Sequence, residues 1–164
     1  MATLTHIETK LAEVAGLAAA GRAAAGVVEK LVSDSETALQ ATLRRMQDEA
    51  RQTRKRCDEA AGRFDGKKTA IRAEARRTRQ KAEKMLEIYL EDDSDSLDGI
   101  EFLTMAEAAE VGHWVVLREL NRTAGDPRLT TLIAWALPVQ QRHLADMSDA
   151  AVHLAAKEDP TATP

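Results

Sequence analysis

Glu110-x-x-His113 and Gln140-x-x-His143 each set a carboxylate or amide one helical turn from an imidazole, and Glu107 precedes the first pair by another turn. Residues three or four apart share one face of a helix, so each pair can present both groups to one neighbour. Carboxylates and imidazoles held this way can bind a divalent cation, and paired Glu-x-x-His motifs on facing helices are a di-metal signature. Here one Glu is a Gln, which brings no charge to balance a metal. The same groups can instead hydrogen-bond to one another inside a core, as buried polar groups generally do. The candidate metal ligands are Glu107, Glu110, His113 and His143.

Two long helices must carry these residues. Leu103, Ala106, Glu110, His113, Leu117 and Leu120 follow i, i+3, i+4 spacing, as do Leu129, Leu132, Ile133, Ala136, Gln140, His143, Leu144, Met147 and Leu154. Between the stripes lies Gly125-Asp126-Pro127. Glycine can close a helix in the left-handed conformation, aspartate can cap the next, and proline suits a first helical position. Glu110 lies fifteen residues before Gly125 and Gln140 fifteen after it; Glu107 and His143 are each eighteen away. At about 1.5 Å rise per residue, an antiparallel hairpin sets each of these pairs at one height. Pro138, inside the second helix, removes a backbone hydrogen bond and is expected to bend it just before Gln140.

Three further helices precede the hairpin. Leu4, Ile7, Leu11, Val14, Ala18, Gly21, Ala25, Val28 and Val32 form one stripe whose Ala and Gly content allows close packing. Ser33 and Glu36 have the spacing of a capping box for a second helix. Its stripe is Leu39, Leu43, Met46, Ala50, Thr53, Cys57, Ala60 and Phe64, with no carboxylate or histidine on that face. After Phe64-Asp65-Gly66, a third helix turns Ile71, Ala75, Thr78, Ala82, Met85 and Tyr89 inward. An acidic loop, Glu91 to Asp98, leads to the hairpin, with Ser96 or Asp98 as cap. The expected helices span about 4–32, 34–62, 68–91, 98–124 and 127–157, one domain of residues 1–157 with a disordered tail, 158–164.

The 164 residues include 3% aromatics and no alternating apolar/polar runs, which points to an all-α chain. The single cysteine, Cys57, excludes an internal disulfide, and its place on an apolar stripe suits a buried thiol. Glu13 and Arg22 break the apolar run from Leu11 to Val28, which argues against a secretory leader, and no uncharged stretch approaches the ~20 residues of a membrane span. No membrane association and a cytoplasmic location are expected. Charge is segregated: residues 44–84 hold fifteen Lys/Arg against seven Asp/Glu, and residues 85–101 hold seven acidic residues and no basic one. The basic stretch lacks interleaved aromatics and any reader motif, so a solvated helical face is expected there, with at most weak, salt-sensitive nucleic-acid binding.

Glu107-Ala-Ala-Glu-Val-Gly-His-Trp-Val-Val-Leu-Arg-Glu-Leu120, Ala-Gly-Asp-Pro127 and Leu137-Pro-Val-Gln-Gln-Arg-His-Leu144 together resemble small bacterial ferritin-like proteins of the rubrerythrin type. The resemblance covers the last third of the chain closely and the rest by helix order. It implies an antiparallel four-helix bundle with an additional crossover helix between Gly62 and Asp98. It also implies iron or manganese ligands, yet the implied carboxylate positions hold Val115 on one helix, Val139, Gln140 or Gln141 on another, and Gln52, Thr53 or Lys55 on a third. The di-metal site is therefore read as degraded. Three functions follow as expectations. The first is a non-catalytic, cofactor-free scaffold or interaction protein, a homo-oligomer or the binder of another protein. The second is an iron or manganese protein with a reduced, stress-related site. The third is a basic nucleic-acid-binding bundle.

Overall fold

A computed structural model describes residues 2–162. The described residues form five helices and no strand: α1 (His6–Leu31), α2 (Thr37–Ala61), α3 (Lys68–Tyr89), α4 (Ser96–Ala124) and α5 (Pro127–Ala155). The all-α expectation holds. The tail from Glu158 is non-helical as far as Ala162, and the last two residues of the expected disordered segment lie outside the described residues.

Helix ends follow local chemistry. Thr5 and Glu8 form a capping box at α1, and Asp95 with Asp98 forms another at α4. Asp95, not Ser96 or Asp98, is thus the α4 cap, while the Ser96 hydroxyl donates to the Leu31 carbonyl at 2.8 Å and ties α4 to the end of α1. Asp126 caps α5 with Pro127 at its first position, and Gly125 is left-handed at φ 67°. At α2 the expected Ser33–Glu36 box does not form. The helix starts three residues later, at Thr37; Ser33 accepts from the Ser35 backbone N–H, and the Glu36 carboxylate pairs with His153 in the last turn of α5 and with Lys157 just beyond it.

α1 is the central element, packed against α2, α3 and α4, while α5 packs on α4 and α2. Residue pairing gives the directions. Val28 meets Gly99 and Gly21 meets Glu110, so α4 runs antiparallel to α1; Arg45 meets Asp146 and Glu49 meets Arg142, so α5 runs antiparallel to α2. Glu8 pairs with Lys67 and Gly16 faces Ala75, so α3 runs parallel to α1. At Gly16 any Cβ would collide with the Ala75 carbonyl, which explains why α3 can lie directly on α1 there. Contrary to the inward stripe expected for α3, only its first half is buried. Ile71 is 2% exposed, whereas Met85 and Tyr89 are 52% and 56% exposed. The α1 contact holds the start of that stripe and leaves its end uncovered.

Two apolar clusters fill the interior. One gathers Leu11, Val14, Cys57, Trp114, Leu117 and Ile133; the other gathers Val28, Leu43, Met46, Ile100, Leu103 and Met147. α1, α2, α4 and α5 each run from one cluster to the other, and between the two they carry Gly21, Glu49 and Thr53, Glu107 and Glu110, and Gln140 and His143. A polar layer therefore crosses the middle of an otherwise apolar core. α1 is long and apolar enough by composition to cross a membrane, which the sequence reading did not anticipate, and half of its most apolar window is buried against the other helices.

Candidate functional site

The polar layer is a connected chain of five side chains from three helices. The Gln140 amide donates to Glu107 Oε2 at 2.8 Å and to Glu110 Oε2 at 2.7 Å. His143 Nε2 donates to Glu49 Oε2 at 2.7 Å, and its Nδ1 lies 3.5 Å from Glu107 Oε2. That second distance is long for a hydrogen bond, so Glu107 acts on the ring chiefly through its charge. Both height matches expected from the hairpin are realised: Glu110 with Gln140, and Glu107 with His143. The α4–α5 turn fixes this register. Buried Asn121 donates to the Asp126 carbonyl and to Thr130 Oγ1, and accepts from the Asp126 N–H. The Arg128 side chain beside Asp126 leads the pull of that carboxyl down to about 2.

Protonation follows from burial and neighbours. Burial raises the Glu110 carboxyl well above the ordinary carboxylate value, and the Glu107 charge raises it further, so Glu110 holds its proton to higher pH than an ordinary carboxylate does. Burial works against an imidazolium at His143, but Glu107 and Glu49 outweigh it and raise the ring above the ordinary histidine value. Burial likewise pushes Glu49 up, and its bonds to His143 and Arg142 more than reverse that, leaving it below the usual range. The layer thus sets His143 between Glu49 and Glu107, which favour its charged form, with Glu110, whose environment favours the neutral acid, and the Gln140 amide at its inner end.

Glu49 was missed in the sequence. It flanks the α2 stripe, but its side chain reaches His143, and it is gripped from outside by Arg142 at 2.6 Å. The apolar stripe of α2 carries no carboxylate, as expected, but the helix supplies one to the layer from beside it. The available signal was Thr53, a polar residue on the stripe one turn beyond, which is fully buried and donates to the Glu49 carbonyl at 2.9 Å. Gly21 was also not read as part of the site. A Cβ there would stand 2.8 Å from Glu110 Oε1, so α1 makes room for the carboxyl by lacking a side chain.

His113 does not join the others. It is half-buried and faces α1, with Nδ1 3.3 Å from Lys10 Nζ and 3.2 Å from Glu13 Oε2. Burial and the Lys10 charge lower it, against the opposing pull of Glu13. Of the four candidate ligands, Glu107, Glu110 and His143 come together and His113 stands apart. Trp114, one residue on, is fully buried with its indole N–H unpaired, and nothing in the structure accounts for that. Burial pushes the Cys57 thiol up, which suits a core residue and not a nucleophile.

The residues do not fit a di-metal centre. Such a centre needs carboxylates on several helices, but Gln140 presents N–H donors between Glu107 and Glu110, where a cation would have to sit. Both ring nitrogens of His143 face carboxylates, and α1 contributes Gly21 and no ligand. Among the described residues no group of three or more His, Cys, Asp or Glu side chains is arranged to hold a metal ion. Comparison with protein-family models, with curated proteins and with solved structures yields no match, so any functional reading rests on the chemistry of the molecule itself.

Proposed function

We propose that this chain is a ferritin-like bundle in which α1, α2, α4 and α5 form the four-helix core and α3 serves as the crossover, and that it acts as a non-catalytic scaffold or interaction protein. The Gln140 amide, donating to both Glu107 and Glu110, carries this reading. An amide in that position supplies by hydrogen bonding what a metal supplies by charge, and leaves no open coordination position for chemistry. Two antiparallel hairpins, α1–α2 and α4–α5, joined by a long connection that leaves α2 and α4 parallel, are in keeping with the family resemblance.

Self-association is the form of interaction we favour. Met85, Ile88 and Tyr89 leave an apolar end on α3, where Ile88 is 76% exposed. Size-exclusion chromatography with light scattering tests this. The wild type is expected to run as an oligomer and an Ile88→Asp variant to shift towards the monomer; a monomeric wild type would contradict self-association.

Glu49 favours a second reading, an iron or manganese protein with a reduced site. It raises the carboxylates linked in the layer to three, alongside one histidine. Metal analysis of protein purified without chelator separates the two readings. Stoichiometric iron or manganese supports the second, and protein free of bound metal supports the first.

A further inference from the structure

Two adjoining cavities, of about 730 and 510 Å³, lie beside α1 and are walled by α2 and α3. Small α1 residues such as Ala19 and Ala23 line them. The residues common to both are Ala19, Arg51, Arg54 and Arg79, so the saddle between the cavities holds three guanidiniums and no carboxylate. Arg22 joins them in the larger cavity.

Most acids nearby are already engaged. Glu29 is held by Arg44 at 2.6 Å and Gln47 at 2.7 Å, and Asp58 by Arg72 at 2.5 Å; Asp34 remains at one end. Arg51 and Arg79 have only partners along their own helices, Asp48 and Glu83, at 3.0 and 2.7 Å. Among the described residues, Arg22 and Arg54 have no ion-pair partner. Arginine does not shed its proton to relieve such crowding. Charges of one sign held in a concave site raise the local concentration of the opposite ion.

We infer that this groove binds a small oligoanion carrying clustered phosphate groups. Planar guanidinium forks match phosphate oxygens, and several from two or three helices match successive phosphates. The cavities have the dimensions of small-ligand sites. No aromatic side chain lines either cavity, so nothing there stacks a base, which disfavours a single-stranded nucleic acid as the occupant.

Sodium tripolyphosphate is the probe, titrated calorimetrically into the full chain at fixed ionic strength. The expected result is saturable binding to the wild type, weakened on the order of tenfold or more in an Arg54→Ala/Arg79→Ala variant. Arg122→Ala, at the far end of α4 and paired with Glu119, is expected to bind as the wild type does. Absence of binding to a folded wild type overturns the inference. So does equal weakening in the Arg122 variant, which would mark diffuse attraction. An oligothymidylate that binds and that tripolyphosphate cannot displace would also overturn it, in favour of a nucleic-acid surface.

Discussion

In the polar layer, Glu49, Glu107 and Glu110 meet His143 and Gln140 at 2.7–3.5 Å, and His143 and Gln140 are 1% and 2% exposed. In the α1 groove, Arg22 and Arg54 are exposed and, among the described residues, have no ion-pair partner. Desolvation explains the contrast. A charge taken out of water without a partner costs several kcal/mol, so the interior retains only groups that neutralise one another or keep their protons. A solvated guanidinium carries no such penalty, and the groove can hold charge in reserve. The layer's chemistry is directed inward, and the groove's is available to a ligand.

That difference orders the expected effects. The largest belongs to His143→Leu, which strips the donor from Glu49 and the compensating charge from Glu107. A loss of about 3 kcal/mol or more is expected in urea melts. A His143→Leu/Glu107→Leu double variant should recover much of it; additive losses would break the comparison by showing that the two groups do not depend on each other.

Gln140→Glu comes next. It sets a third acid between Glu107 and Glu110, with an expected cost of about 2–3 kcal/mol at neutral pH and less in acid, where the new carboxyl takes a proton. Manganese(II) should restore part of the melting temperature of this variant and leave the wild type unchanged. A wild type that gains as much as the variant would place a cation site in the native layer.

The pH dependence sharpens the same picture. Glu110 has a raised folded value, so above the ordinary carboxylate value of 4.5 the unfolded chain releases a proton that the folded chain keeps. Stability then falls with rising pH until the raised value is passed. His143 works in the same direction: its contribution is complete below the ordinary histidine value of 6.5 and is lost as pH rises through its raised folded value. Glu110→Gln should therefore be more favourable, relative to the wild type, at pH 8 than at pH 5. A pH-independent difference would mean that Glu110 is ionised in the fold.

Smaller effects lie outside the layer. Asn121→Ala removes three hydrogen bonds at the α4–α5 turn, and a loss of about 1–2 kcal/mol is expected from thermal melts. Arg54→Ala should change stability by no more than about 0.5 kcal/mol, because an exposed, unpaired cation holds nothing in place. A marked loss there would show that the groove is structural.

The hairpin was legible because its constraints are local. Gly125, Asp126 and Pro127 specify a turn through their own backbone chemistry, and equal helical rise carries the register out to Glu107, Glu110, Gln140 and His143. The rest depended on contacts between helices distant in sequence. His113 lies on the α4 stripe, but α4 meets both α1 and α5, and a stripe does not say which neighbour each residue faces. Glu49 sits beside the α2 stripe, and only the approach of α5 turns it towards His143. Glu36 had the spacing of a capping box, yet Lys157 and His153 arrive from the other end of the chain and take its carboxylate. Met85 and Tyr89 keep helical periodicity with the buried Ile71 although both are more than half exposed, since periodicity marks a face and not its cover.

The central claim is that the layer is neutralised by its own side chains, and the ring nitrogens of His143 report on it most directly. Nitrogen-15 spectra at neutral pH, assigned with a His143→Gln variant, should show both nitrogens protonated, and adding EDTA or substoichiometric manganese(II) should leave the signals unchanged. A neutral ring with one bare nitrogen, or signals that manganese(II) broadens and EDTA restores, would contradict it.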